Sequence, residues 1–134
     1  MASARKTEKK NIAFMDLYKT VDGSIKDRLG SSEGVSEYIR RMDAAGDCSS
    51  KVDVWKQDYR MLKHLRWARN KLAHEVDNST EILDAGDYEW LDAIQKRLRA
   101  SGDALSVSTR KASGKGKKKK KKSLADRLRK FFFG

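Results

Sequence analysis

Apolar residues recur at steps of three and four along most of this chain, and the chain contains no proline. This spacing places apolar side chains on one face of a helix, whereas strands would show strict alternation. The pattern predicts four helices: residues 8–29, 33–45, 52–76 and a helix that follows Asp87. With 134 residues, of which 38% are hydrophobic, the chain fits one all-α domain, and we expect a four-helix bundle over residues 8–105.

Charge is distributed unevenly along the chain. The formal net charge is +12, but residues 111–134 hold 11 basic side chains and one acidic side chain, a net of +10. The first 110 residues therefore carry a net charge of only +2. The basic charge is thus evidence that the tail binds an anionic partner, and it is no such evidence for the helical body.

The tail is predicted to have two parts. Residues 106–122 are rich in Ser, Thr, Gly and Lys without apolar periodicity, which predicts a flexible linker. Residues 123–134 predict a short basic amphipathic helix whose apolar face, suited to membrane insertion, holds Leu124, Leu128, Phe131 and Phe132. The basic side chains suit an anionic membrane or RNA, and the phenylalanines favour the membrane. The basic residues assigned to this binding are Lys117, Lys118, Lys119, Lys120, Lys121, Lys122, Arg127, Arg129 and Lys130.

Several classes of protein are excluded by what the sequence lacks. No apolar run is long enough for a transmembrane helix, and the N-terminus has no apolar core of a signal peptide. The single Cys48 excludes an internal disulfide and a Cys-rich zinc site. Two histidines with no nearby carboxylate triad argue against a metal site. We therefore expect a cytoplasmic protein with no metal and no cofactor. Its tail can hold the protein at the inner face of a membrane.

The third predicted helix carries the residues with chemical meaning. On a helical wheel Arg69 lies at the centre of the apolar stripe, where a guanidinium needs an acidic partner or a cleft. Asn70 and His74 lie four residues apart on the adjoining face. Trp67 lies beside His74, and we expect it to contact a second subunit, with base stacking as the alternative. His64 lies on the polar side and is expected to be solvated.

The segment from Arg69 to His74 reads R-N-x-x-x-H. It resembles the signature of the HEPN (higher eukaryote and prokaryote nucleotide-binding) superfamily, in which an Arg, a polar residue and a downstream His share one helix. The surrounding helix from Leu62 to Glu75 and the segment from Asp87 to Leu91 are also similar to that family. The resemblance covers residues 9–105.

The resemblance implies a homodimer that binds RNA where two motif helices meet at a shared cleft. In active members it implies metal-independent RNA cleavage that leaves a cyclic phosphate. Arg69 would then stabilise the phosphorane, His74 would act as general acid and base, and Asn70 would orient His74 or the phosphate. Catalysis is left open, as is a protein partner such as an antitoxin. The alternative is a non-catalytic helical dimer or adaptor, tethered by its tail to an anionic membrane or to a partner.

Overall fold

The structure is a computed structural model that describes the backbone of residues 2–120 and the side chains of residues 4–112. This part of the chain consists of five α-helices and contains no strand. The prediction of an all-α fold is therefore confirmed. The helices are α1 (Ala2–Leu29), α2 (Val35–Ala45), α3 (Trp55–His74), α4 (Asp87–Arg99) and α5 (Ala104–Lys120).

The first helices end where the sequence predicts. Gly30 follows α1 with φ of 61°, and Gly46 follows α2 with φ of 80°. Glycine occupies this left-handed region without the steric cost that a Cβ atom would bring, and it commonly terminates helices. The breaks at Gly30 and Gly46 allow α2 to fold back on α1 and α3 to fold back on α2.

The apolar stripes of the helices meet in one core. Helix α1 packs against α2, α3 and α4, and α3 also packs against α2. Burial of these stripes is the main favourable contribution to folding. The buried apolar side chains include Phe14, Val21 and Ile25 of α1, Tyr38 and Met42 of α2, Leu62 and Leu65 of α3, and Leu91 and Ile94 of α4.

The segment after α4 differs from its prediction. We expected a flexible linker over residues 106–122, whereas residues 106–120 belong to α5. The first turn of α5 is stabilised because Ala104 is fully buried and Asp103 Oδ2 accepts a hydrogen bond from the Ser106 amide at 3.3 Å. Arg110, Lys111 and Ala112 have good helix propensities and follow the anchored first turn, and the helix continues through Gly114 and Gly116, whose propensities are poor.

The rest of the predicted tail is not covered by the structure. Residues 121–122 of the predicted linker and the predicted amphipathic helix at 123–134 lie outside the described residues. Both therefore stay predictions.

A buried polar network connects α5 to the bundle. Asp58 on α3 is fully buried, and its two oxygens accept hydrogen bonds from the guanidinium of Arg97 at 3.0 and 2.5 Å. Asp58 Oδ2 also accepts the Ala104 amide at 3.3 Å. Burial raises the pKa of Asp58 to about 6, and the charge of Arg97 opposes that rise. One carboxylate therefore joins α3, α4 and the start of α5.

Gly34 provides a test of the packing between α1 and α2. A Cβ atom at Gly34 would overlap the side chain and carbonyl oxygen of Asp22 on α1, whereas a Cβ atom at Gly23 would have open space around it. We expect Gly34→Ala to destabilise the protein by about 1–3 kcal/mol through overpacking. The matched change Gly23→Ala, inside α1, should stabilise it by about 0.5–1 kcal/mol. Urea unfolding followed by circular dichroism measures both, and an unchanged midpoint for Gly34→Ala would contradict this close approach.

Candidate nucleic-acid interface

A cleft of about 710 Å³ lies beside the helix that carries the R-N-x-x-x-H segment. Its walls come from α1, from the connection between α1 and α2, from the first turn of α2, and from α3. The basic side chains that line it are Lys19, Lys26, Arg66 and Arg69, and Asn70 lies next to Arg69. The cleft therefore has basic side chains on two helices, two on α1 and two on α3.

Arg69 lines the cleft instead of pairing with an acid. Its side chain is half-buried, and Nη1 donates a hydrogen bond to Oδ1 of Asn70 at 3.2 Å. The guanidinium carbon lies 6.0 Å from the centroid of the Tyr18 ring, at the edge of cation–π range. Within residues 4–112, no carboxylate lies within ion-pair distance of Arg69. The guanidinium of Arg69, which we expected to need an acidic partner or a cleft, therefore lies in a cleft.

Arg66 is a second arginine of the same wall, which the sequence analysis did not single out. It lies three residues before Arg69 on α3, so the two side chains share a face. Arg66 Nη1 donates to Oγ of Ser36 on α2 at 3.3 Å, and it too has no ion pair among the described side chains. The spacing of three from Arg69 is the signal that could have found it.

The acidic residues of the cleft leave these arginines free of ion pairs. Asp22 pairs with Lys26 at 3.5 Å, and its Oδ1 accepts the Val35 amide at 2.8 Å. Glu33 pairs with Arg40 on α2, which lies outside the cleft lining. Asp16 also lines the cleft and is exposed. Two of the three carboxylates are thus already engaged by other donors.

Tyr18 forms part of the cleft wall without contributing a charge. The side chain is almost fully buried, and burial raises the pKa of its hydroxyl. The phenol therefore stays neutral at physiological pH. Its ring lies 6.0 Å from the guanidinium carbon of Arg69 and forms an uncharged part of the cleft wall.

His74 is not brought into the cleft of the same subunit. It is the last residue of α3, its side chain is exposed, and it is not among the residues that line the cleft. No hydrogen bond in the described part of the chain joins His74 to Arg69 or Asn70. The structure thus brings together Arg69 and Asn70 of the predicted catalytic set, and leaves His74 at the end of the helix.

Trp67 and His64 form an aromatic pair on another face of α3. Trp67 is 47% exposed, and its ring stacks on the imidazole of His64 with centroids 5.9 Å apart. The prediction that His64 is solvated is wrong, because its side chain is only 26% exposed and Nε2 lies 2.9 Å from Oδ2 of Asp87. Packing of the α4 start against α3 creates this contact.

Comparison with known proteins places the chain in a family. The sequence model of a family of unknown function, DUF6548, matches residues 12–130, which is most of the chain. The chain belongs to this family. No curated protein and no solved structure gives a significant match. The DUF6548 match includes the whole cleft wall of α3, so the cleft residues lie within the family region.

The DUF6548 match also extends over most of the basic tail. Lys117, Lys118, Lys119 and Lys120 lie in the last turn of α5, and only their backbone is described. The other predicted tail residues lie outside the described residues: Lys121, Lys122, Arg127, Arg129 and Lys130 of the basic set, and Leu124, Leu128, Phe131 and Phe132 of the apolar face. Among the residues that the structure describes, no helix is long and apolar enough to cross a membrane.

A group of potential metal ligands lies at the start of α4 in this DUF6548 chain. His64, Asp84 and Asp87 each offer one donor atom, and these atoms lie within 4.8 Å of one another. Asp84 and Asp87 are 20 and 23 residues away from His64 in the sequence, and folding brings the three side chains together. The expectation of no metal site, which considered only carboxylates close to the histidines along the chain, is therefore not supported at His64.

Proposed function

We propose that the cleft binds the phosphates of single-stranded RNA. The observation that carries this proposal is the pair Arg66 and Arg69, two half-buried guanidinium groups that face one cleft without an acidic partner in the described residues. A partly desolvated guanidinium favours a bidentate anion, and phosphate oxygens match its geometry. A cleft of this volume has the size of a small-ligand site, which suits a nucleotide of a single strand better than a duplex.

RNA is favoured over other anions by the resemblance to the HEPN superfamily. The resemblance depends on Arg69, Asn70 and His74, and the first two line the cleft. We include metal-independent cleavage in the proposal. The 2′-hydroxyl attacks phosphorus and the bond to the 5′-oxygen breaks, while His74 accepts the proton of the 2′-hydroxyl and donates one to the leaving 5′-oxygen. Arg69 stabilises the charge on the phosphorane.

Cleavage requires a histidine closer to the phosphate than the subunit itself supplies. A homodimer in which two α3 helices meet would allow the partner subunit's His74 to approach the cleft. The exposed Trp67 is the predicted dimer contact, but it lies about 160° from Arg69 around α3, so a second subunit that reaches the cleft must also contact another surface of the protein. The dimer is therefore part of the catalytic proposal and is not needed for phosphate binding.

RNA binding is tested on the full chain in a background where the tail is neutralised. Replacing the six lysines Lys117–Lys122 by Gln removes most of the competing binding by the tail. In this background we expect Arg66→Gln and Arg69→Gln each to weaken binding of a fluorescent single-stranded RNA about tenfold, because each loses a charged phosphate contact. The slope of log affinity against log salt should also fall by about 0.7 for each arginine.

Arg60→Gln is the matched control for this measurement. Arg60 is on the same helix and carries the same charge, but it is exposed and does not line the cleft. We expect its RNA affinity to stay near that of the parent. Equal affinities for the Arg60, Arg66 and Arg69 variants would show that the cleft does not bind RNA.

Cleavage is tested by incubating RNA with the wild type and with His74→Ala in EDTA. We expect the wild type to produce fragments that end in a cyclic phosphate, and His74→Ala to be slower by about 10²–10⁴-fold, the usual loss for a general acid or base. RNA affinity should fall by less than about threefold in His74→Ala, because the charged phosphate contacts come from Arg66 and Arg69 and not from His74. Equal cleavage rates, or none by the wild type, would reject catalysis and leave binding to be judged by the arginine variants.

A second candidate function is attachment to an anionic membrane. It is favoured by the net charge of +10 on residues 111–134 and by the four apolar residues of the predicted amphipathic helix.

Membrane attachment is tested on the full chain, which we expect to cosediment with vesicles containing phosphatidylserine. Replacing Phe131 and Phe132 by Ser should weaken this binding, while leaving RNA affinity unchanged. Equal cosedimentation before and after that replacement would indicate that charge alone holds the tail.

A further inference from the structure

Two carboxylates meet a histidine where α4 begins. Nε2 of His64 lies 2.9 Å from Oδ2 of Asp87 and 3.4 Å from Oδ2 of Asp84. We propose that His64, Asp84 and Asp87 form a binding site for a divalent transition-metal ion. One imidazole nitrogen and two carboxylate oxygens are ligands that zinc accepts, and zinc is the ion that we use to test the site.

The two separations that involve His64 are close to those of a tetrahedral zinc site, and all three donor atoms lie within 4.8 Å of one another. Zinc bonds to nitrogen and to carboxylate oxygen measure about 2.0–2.2 Å, so neighbouring ligand atoms in a tetrahedron lie about 3.3–3.6 Å apart. The separation of His64 and Asp84 already has this value, and that of His64 and Asp87 needs to open by a few tenths of an ångström. Asp84 is 75% exposed, so water can reach the site and supply a fourth ligand.

The charge at this place also favours a cation. The side chain of Asp87 is only 4% exposed, and Asp84 adds a second carboxylate beside it. Neither forms an ion pair with a lysine or an arginine within the described side chains. A protonated His64 would supply one positive charge to two carboxylates, whereas a divalent ion supplies two. Burial of Asp87 near a like charge is costly without such compensation.

Surrounding groups hold the ligands in place. The backbone amide of Asp84 donates to Oδ2 of Asp87 at 2.8 Å, which fixes the orientation of that carboxylate. The ring of Trp67 stacks on His64 and restricts the rotation of the imidazole. Such outer contacts are what keep metal ligands oriented. A bound ion would fasten the connection before α4 to the middle of α3.

The test is zinc binding by the full chain without an affinity tag, measured by calorimetry and by the visible absorption of cobalt. We expect one site per chain, with a cobalt spectrum typical of four-coordinate geometry. Asp84→Asn should weaken zinc binding by at least about tenfold, because it removes a charged ligand. Since Asp84 is exposed, this variant should fold normally, as circular dichroism will check. His64→Ala should abolish the site.

Asp92→Asn and His74→Ala are the matched controls. Asp92 is an exposed carboxylate on α4 outside the cluster, and His74 is the other histidine of the chain. Both variants should bind zinc as the wild type does. Absence of zinc binding by the wild type would overturn the proposal. So would an Asp84→Asn variant that binds zinc as tightly as Asp92→Asn, since the ion would then be held elsewhere.

Discussion

The buried carboxylate of Asp58 is the interaction on which the arrangement of the last three helices depends. It lies inside the bundle on α3, where it accepts hydrogen bonds from Arg97 of α4 and from the first amide of α5. Removing one member of such a buried pair typically costs about 3–5 kcal/mol, because the other member is left without a partner. Tyr38 of α2 joins the same region by donating to Asp103 at 2.5 Å. The position of α3 is thereby tied directly to α4 and to the start of α5, and through the start of α5 to α2.

The two candidate sites lie on different faces of helix α3. At 100° per residue, His64 lies about 140° from Arg69, whereas Arg66 lies only about 60° from it. Leu62 and Leu65, which are buried in the core, fix which way the helix faces. The arginines therefore line a cleft with α1 and α2, while His64 faces the start of α4. The phosphate site and the metal site share a helix without sharing a ligand, so either can be right without the other.

Much of the fold could be predicted because it follows from local features of the sequence, the spacing of apolar residues and the glycines that end helices. The stripe residues of α1 to α4 are the ones that the core buries, and Gly30 and Gly46 end helices as expected. The cleft at Arg69 followed from a charge placed on an apolar stripe. The contact between His64 and Asp87 could not be predicted, since 23 residues separate them and only packing brings them together. Helix α5 was missed because its anchor is the side chain of Asp103, and not a stripe.

Helix α5 begins in the bundle and ends in the lysine run, so the chain has two proposed sources of affinity for anions, the cleft and the tail. At a rise of 1.5 Å per residue, Lys117 lies about 20 Å beyond Ala104 along the helix axis. Ala104 is buried in the bundle, and the Debye length at physiological salt is about 8 Å, so charge at the far end of α5 is largely screened at Ala104. A short RNA can bind at the cleft or at the tail, so its affinity reports on the cleft alone only when the tail lysines are neutralised. An RNA long enough to reach both would bind more tightly than either alone, because the second contact becomes intramolecular.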